Sequence, residues 1–250
     1  MLGRVERLLA GVDIEQETGL EIGPLDKPMV PRLGQRPIFY GDYAPREVLQ
    51  NNSRADPHVD IQAIPNIDYI IQPLPAALDR RFDYIIASHV AEHVPDLIGW
   101  IKTLCGWLNP NGRLILAIPD KRYCFDILRD TSTAGELLEA FLERRSAPRF
   151  GTIFDAMRLA VNVDTGATWT NTVEREKLTS IFTPEFSFYT ADQARRTGRY
   201  QDCHCWVFTY DSFLAAIEEV NRVSEASVRV LRSEPPVWGS NEFHVVLNWG

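Results

Sequence analysis

Glu21-Ile22-Gly23 closes one short apolar run, and Asp42 closes another nineteen positions after that glycine. In an α/β nucleotide-binding fold, a strand that stops at glycine lets the backbone come close to a ligand. A carboxylate ending the next strand then reaches a pair of ribose hydroxyls. Only one glycine is present where a dinucleotide loop would carry three; Pro24, Leu25 and Lys27 follow it. Without those glycines a pyrophosphate has no cradle at a helix N-terminus. A cofactor with an adenosine but no phosphates fits better, and S-adenosylmethionine, with its sulfonium and amino-acid tail, is the one expected beside Glu21 and Asp42.

Three histidines, His89, His93 and His204, have the chemistry of a general base. Transfer to oxygen needs an aligned nucleophile and a group within hydrogen-bond reach to take its proton. In Glu92-His93-Val94-Pro95 the second of these reads as a packing or capping residue. His89 suits either the cofactor pocket or the chemistry, and His204 either the acceptor side or the core. Asp120, Lys121, Arg122 and Tyr123 follow a strand directly, where they suit acceptor binding or a solvated turn. Cys203-His204-Cys205 lacks the Cys-x2–4-Cys spacing and second ligand pair of a zinc site, so no metal is expected and the four cysteines read as reduced thiols.

The elements that must position these groups follow from periodicity. Residues 4–14 have helical apolar spacing, and strands are expected at 19–22, 37–40, 67–71, 82–87 and 113–118. Pro28 and Pro31 argue for a loop rather than a helix after the first strand. Helices are expected at 44–51 and 96–108, the latter carrying Trp100 and Trp107 into the core, with a turn at Pro110-Asn111-Gly112. Beyond 120 the regularity stops. Residues 120–200 combine one amphipathic helix (134–144) with a long polar segment containing Trp169, Tyr189 and Tyr200, the expected acceptor-binding or lid insertion. A helix at 210–222 and strands at 227–232 and 243–248 complete a doubly wound sheet.

Composition excludes several classes. With 45% apolar and 24% charged residues the chain reads as one ordinary soluble domain, 1–250, expected in the cytoplasm. A net charge of −8 without a basic run argues against nucleic acid, and no apolar stretch approaches a membrane span. The charged opening Met1–Arg7 lacks the apolar core of an export signal.

The stretch Phe82-Asp83-Tyr84-Ile85-Ile86-Ala87-Ser88-His89-Val90-Ala91-Glu92-His93-Val94-Pro95-Asp96 resembles the fourth strand and following loop of class I S-adenosylmethionine-dependent methyltransferases. More narrowly it is similar to a bacterial branch reading Ser-His-Val-x-Glu-His, often found beside glycosyltransferases. Leu108–Leu114, Ile118–Tyr123 and Cys203–Thr209 resemble later phrases of that branch. The resemblance implies a mostly parallel seven-stranded sheet with an antiparallel C-terminal strand and an insertion after the fifth strand. It implies that Glu21, Gly23 and Pro24 line the methionine side, Asp42 holds the ribose, Asp68 meets the adenine amino group, and Ser88 and His89 border the sulfonium. Leu25 stands where many such enzymes have a second glycine. The activity implied is methyl transfer to a small acceptor, first a hydroxyl of a sugar or glycoconjugate, with His204 and His89 as catalytic groups and Asp120, Arg122 and Tyr123 on the acceptor. A homodimer is compatible with this reading. The competing readings are an NAD-dependent dehydrogenase or epimerase, which the single-glycine loop disfavours, and a non-catalytic cofactor-binding module.

Overall fold

The computed structural model describes residues 3–250, so Met1 and Leu2 of the charged opening lie outside the described residues. In chain order the elements are α1 (Arg4–Leu8), β1 (Gly19–Ile22), β2 (Ile38–Asp42), α2 (Arg46–Asn52), β3 (Tyr69–Ile70), β4 (Phe82–Ser88), α3 (Leu97–Gly106) and β5 (Leu108–Pro119). There follow α4 (Ala134–Glu143), α5 (Phe150–Arg158), α6 (Thr165–Trp169), α7 (Pro184–Thr197), α8 (Tyr210–Val223), β6 (Val228–Glu234) and β7 (Glu242–Trp249). One seven-stranded sheet runs in the order β3-β2-β1-β4-β5-β7-β6. The first five strands are parallel, and β7 lies antiparallel between β5 and β6. The expected antiparallel C-terminal strand is β7, and β6 beyond it forms the sheet edge.

The central strands are apolar throughout because both of their faces are covered. Alternate residues of β4 point to opposite sides. Ile85 packs with Leu20 and Leu116 against α3 and α8, whereas Ile86 joins Tyr40 and Ile115 under Leu8, Leu9 and Val30. That second cover is α1 and the loop after β1, as the two prolines require.

Asn109–Gly112 is not a turn before β5 but an irregularity inside it. Leu108 pairs with Phe82 and Arg113 with Tyr84, and Asn111 takes φ +66° in between. A Cβ on Gly112 would stand 2.9 Å from the Asn109 carbonyl oxygen and 3.0 Å from that of Phe82, so a side chain there would force this bulge open. α1 stops at Leu8, six residues short of its expected end.

The 120–200 segment is more ordered than its polarity suggests. Beyond the expected α4 it contains α5, α6 and α7. α7 has Thr183 accepting from the Phe186 N–H, Pro184 in its first turn and Gly198 at φ +67° as its stop. Phe150 of α5 meets Phe188 of α7 edge-on at 5.7 Å, holding the pair together.

Candidate active site

The order of the parallel strands reverses between β1 and β4, and ligands of such sheets bind at the carboxyl ends of strands beside that switch. A cleft of about 1830 Å³ opens there. Gly23 leaves β1 at φ +66°, and a Cβ on it would meet Val90 Cγ2 at 2.8 Å. A glycine is therefore required both by conformation and by the approach of the loop after β4. Leu25, at the family's second glycine position, adopts the left-handed region itself at φ +42°. His89 does the same at φ +55° directly after β4, a strained placement that turns its ring toward the cleft.

Asp42, at the end of β2, lies in the cleft wall and is 6% exposed. Its Oδ1 accepts the Tyr43 N–H at 2.7 Å, and burial raises its pKa to about 6. Ile71, Gln72 and Pro73 line the same end of the cleft.

Several expected cofactor residues stand behind the wall. Glu21 is buried, and its two oxygens accept the Met29 and Val30 N–H groups at 2.7 and 3.0 Å. It pins the loop after β1 rather than facing a ligand, and burial raises it to about 7 despite those bonds. Asp68 accepts the Tyr40 N–H at 2.8 Å and pairs with Arg32, clamping the sheet edge. Ser88 Oγ accepts from Arg4 at 2.7 Å, and neither Ser88 nor Pro24 borders the cleft. Glu21 came from the spacing and Asp68 and Ser88 from the resemblance, but backbone and arginine donors reach these groups first.

Asp120, Arg122 and Tyr123 likewise do not line the cleft. Asp120 is fully buried; it accepts from Arg122 Nε at 2.8 Å and from the Tyr210 N–H at 3.0 Å, tying the end of β5 to α8. Tyr123 stacks on Trp169 at 4.1 Å, and Trp169 donates to the Ser240 carbonyl. Tyr189 and Tyr200 do reach the cleft, with Gln193 of α7 and Gln201 just beyond it, so the insertion supplies part of the lining that Gly23 and Asp42 share.

Two polar networks flank the sulfonium side expected from the sequence. Glu242 accepts from His89 Nε2 at 2.8 Å, Arg4 Nε at 2.6 Å and His244 Nε2 at 2.9 Å. Burial alone would raise its pKa, but these three donors hold it far below the carboxylate range. Burial works against a charge on His89, yet its bond to Glu242 and the nearby Glu92 carboxylate outweigh that and raise it to about 9.

The second network escaped the sequence reading. A single helical turn after β4 carries Glu92 and His93, and the Glu92 carbonyl accepts the Cys205 and Trp206 N–H groups at 2.6 and 3.2 Å. This draws residues 203–206 alongside, so that His93 and His204 meet edge to face at 4.7 Å. His204 Nδ1 bonds Asp126 at 2.5 Å, and Asp126 is held in turn by Arg129 at 2.8 Å. His93 Nδ1 bonds Asp202 at 3.1 Å. The side-chain donors of Glu92, His93 and His204 lie within 4.8 Å of one another. Glu92-His93 in the motif was the available signal; its partners stand 34 and 112 positions downstream.

A doubly wound sheet with one reversed strand next to its edge and a ligand cleft at the switch point defines the Rossmann-like methyltransferase class. Residues 2–221 match the methyltransferase domain family (Methyltransf_23), and the chain belongs to it. It is 32% identical over 111 residues to a ubiquinone biosynthesis O-methyltransferase of Methylobacterium sp. (strain 4-46). That match covers 44% of this chain and 41% of the relative, so the chain matches well under half of the relative's length. Solved structures resembling it include a DhpI–SAH complex (12% identity, TM-score 0.46, covering 98% of this chain and 82% of that one). Another is an S-adenosylmethionine-dependent methyltransferase from Clostridium acetobutylicum ATCC 824 (9% identity, TM-score 0.44, covering 93% and 84%). The cofactor of the family is S-adenosylmethionine, and a glycine cradle beside a buried carboxylate suits its nucleoside.

Proposed function

We propose that the protein transfers a methyl group from S-adenosylmethionine to a hydroxyl of a sugar or glycoconjugate. The observation that carries this reading is the composition of the cleft lining shared with Gly23 and Asp42: Tyr189, Gln193, Tyr200 and Gln201 offer ring faces and hydrogen-bonding groups suited to a polyhydroxylated acceptor. When bound, the cofactor supplies a methyl group activated by a positively charged sulfur. Asp42 accepts hydrogen bonds from the ribose hydroxyls, and Gly23 lets the backbone close against the ligand. The 120–200 segment acts as the acceptor-binding part of a single methyltransferase domain. It orients the acceptor oxygen and keeps water from the transferring group, the two contributions through which such enzymes gain most of their rate. The acceptor oxygen is placed beside His89 and the Glu92–His93–His204 cluster rather than at His204 alone, because Asp126 and Glu92 occupy the surroundings of that buried ring.

The test is transfer of radiolabelled methyl from S-adenosylmethionine to oligosaccharide and glycolipid acceptors, with a phenolic panel in parallel because the Methylobacterium relative is a ubiquinone biosynthesis O-methyltransferase. Product on sugar hydroxyls is expected. Turnover confined to phenols would overturn the sugar assignment while leaving methyl transfer intact.

A further inference from the structure

We propose that Glu92, His93 and His204 form a binding site for a divalent transition-metal ion of the zinc or manganese type. The ligand set is two imidazoles and one carboxylate, a combination that holds zinc with open positions for a further oxygen. Glu92 is 1% exposed, and among the described residues neither of its carboxylate oxygens has a hydrogen-bond partner. Buried carboxylates are normally paired or bound to metal. The nitrogens facing Glu92 Oε1 stand too far for hydrogen bonds: His204 Nε2 at 3.8 Å, His93 Nε2 at 3.9 Å and His89 Nδ1 at 3.5 Å. Ligand atoms about 2.1 Å from a tetrahedral ion lie about 3.4 Å apart, so a contraction of a few tenths of an ångström at the two Glu92–imidazole pairs, with the two imidazole nitrogens (within 4.8 Å of each other) also drawing in, closes the shell.

The outer shell fits the same reading. Each of the three imidazoles has a carboxylate on the nitrogen that points away from Glu92. Asp126 takes His204 Nδ1, Asp202 takes His93 Nδ1 and Glu242 takes His89 Nε2. Such carboxylate–histidine pairs fix the tautomer and ring orientation of metal-bound imidazoles. Arg129 braces Asp126 from behind and also donates to the His204 carbonyl at 3.0 Å. His93 lines the cleft, so an ion there is within reach of the acceptor. The sulfurs of Cys203 and Cys205 are not part of this group: Cys205 Sγ donates to the His93 carbonyl at 3.4 Å.

The role of the ion rests on the methyl-transfer reading above; its binding does not. As a Lewis acid it would lower the pKa of an acceptor hydroxyl, whose proton leaves to water. The acceptor oxygen then gains the O–CH3 bond as the S–CH3 bond breaks and sulfur keeps the electron pair.

Untagged protein stripped with chelator should bind one Zn2+ or Mn2+ per chain by calorimetry and elemental analysis, with S-adenosylhomocysteine binding measured on the same sample. H93A and E92Q should each weaken Zn2+ binding at least 100-fold, and D126N about 10- to 100-fold. H93A alters a partly exposed ring and, with circular dichroism, controls for misfolding of the buried E92Q. Failure of the stripped protein to bind either ion while it binds S-adenosylhomocysteine overturns the metal site alone. Zn2+ affinity unchanged in both H93A and E92Q places the ion elsewhere and also overturns it. Metal binding without any S-adenosylhomocysteine binding would support the site and refute the methyl-transfer reading.

Discussion

Replacing Asp42 with asparagine separates ligand binding from folding, because the structure gives the two effects opposite signs. The carboxylate is nearly buried and has one backbone donor, so burial holds its pKa near 6 instead of 3.8. A carboxyl with a raised folded pKa gains stability as pH falls from above 6 toward 3.8, and loses it as pH rises through 6. Removing the charge at pH 7.5 should therefore stabilise the free protein by about 3 kcal/mol, a Tm increase of roughly 6–12 °C for a chain of this size. The ribose hydroxyls, by contrast, require two acceptors. Asparagine keeps one, and a lost charge-assisted hydrogen bond costs about 2–3 kcal/mol, or roughly 30- to 150-fold in Kd for S-adenosylhomocysteine. The wild-type protein should also lose affinity about tenfold per pH unit below pH 6, where the ligand must displace a proton, and D42N should not. Calorimetry and thermal melts between pH 5 and 8 read all three effects. A D42N protein that binds as tightly as wild type refutes the ribose assignment. One that loses affinity and stability together refutes the electrostatic account of Asp42.

Other outcomes follow from the same geometry. G23A, whose Cβ would meet Val90 Cγ2 at 2.8 Å, should weaken S-adenosylhomocysteine binding, and V90A should restore part of the loss in a double-mutant cycle by calorimetry. E21A leaves the Met29 and Val30 N–H groups without acceptors and should cost about 2–4 kcal/mol by urea unfolding. Glu21 sits near pKa 7, above its ordinary value, so its contribution makes the wild type more stable at pH 5.5 than at pH 8. Y189A should raise the acceptor KM several-fold while the S-adenosylhomocysteine Kd stays constant. Y123A, whose ring stacks away from the cleft, should lower Tm and leave both constants unchanged.

What was legible in the sequence was local. β1, β4 and the loop between β1 and β2 follow from runs and prolines within a few residues, and Gly23 and Asp42 end adjacent strands, so spacing alone places them together. α7 was missed because its buried positions are few: Ser187 and Ala191 face inward while Phe186, Phe188 and Tyr189 remain exposed, which erases the apolar periodicity. Its caps, Thr183-Pro184 and Gly198, were the readable signals. Glu21 and Asp68 show that residue type does not settle role, since nearby backbone N–H groups claimed both carboxylates. The Glu92–His93–His204 cluster was out of reach for a different reason. It is assembled by backbone hydrogen bonds from Cys205 and Trp206 to Glu92, a contact between segments more than a hundred positions apart.

A crystal structure with S-adenosylhomocysteine bound tests the central claim most directly. The account predicts the ribose hydroxyls against Asp42, the homocysteine portion over Gly23, and the sulfur turned toward the side of the cleft that His89 and His93 share. A ligand bound outside the β1–β4 switch, or a ribose held by a group other than Asp42, would contradict it.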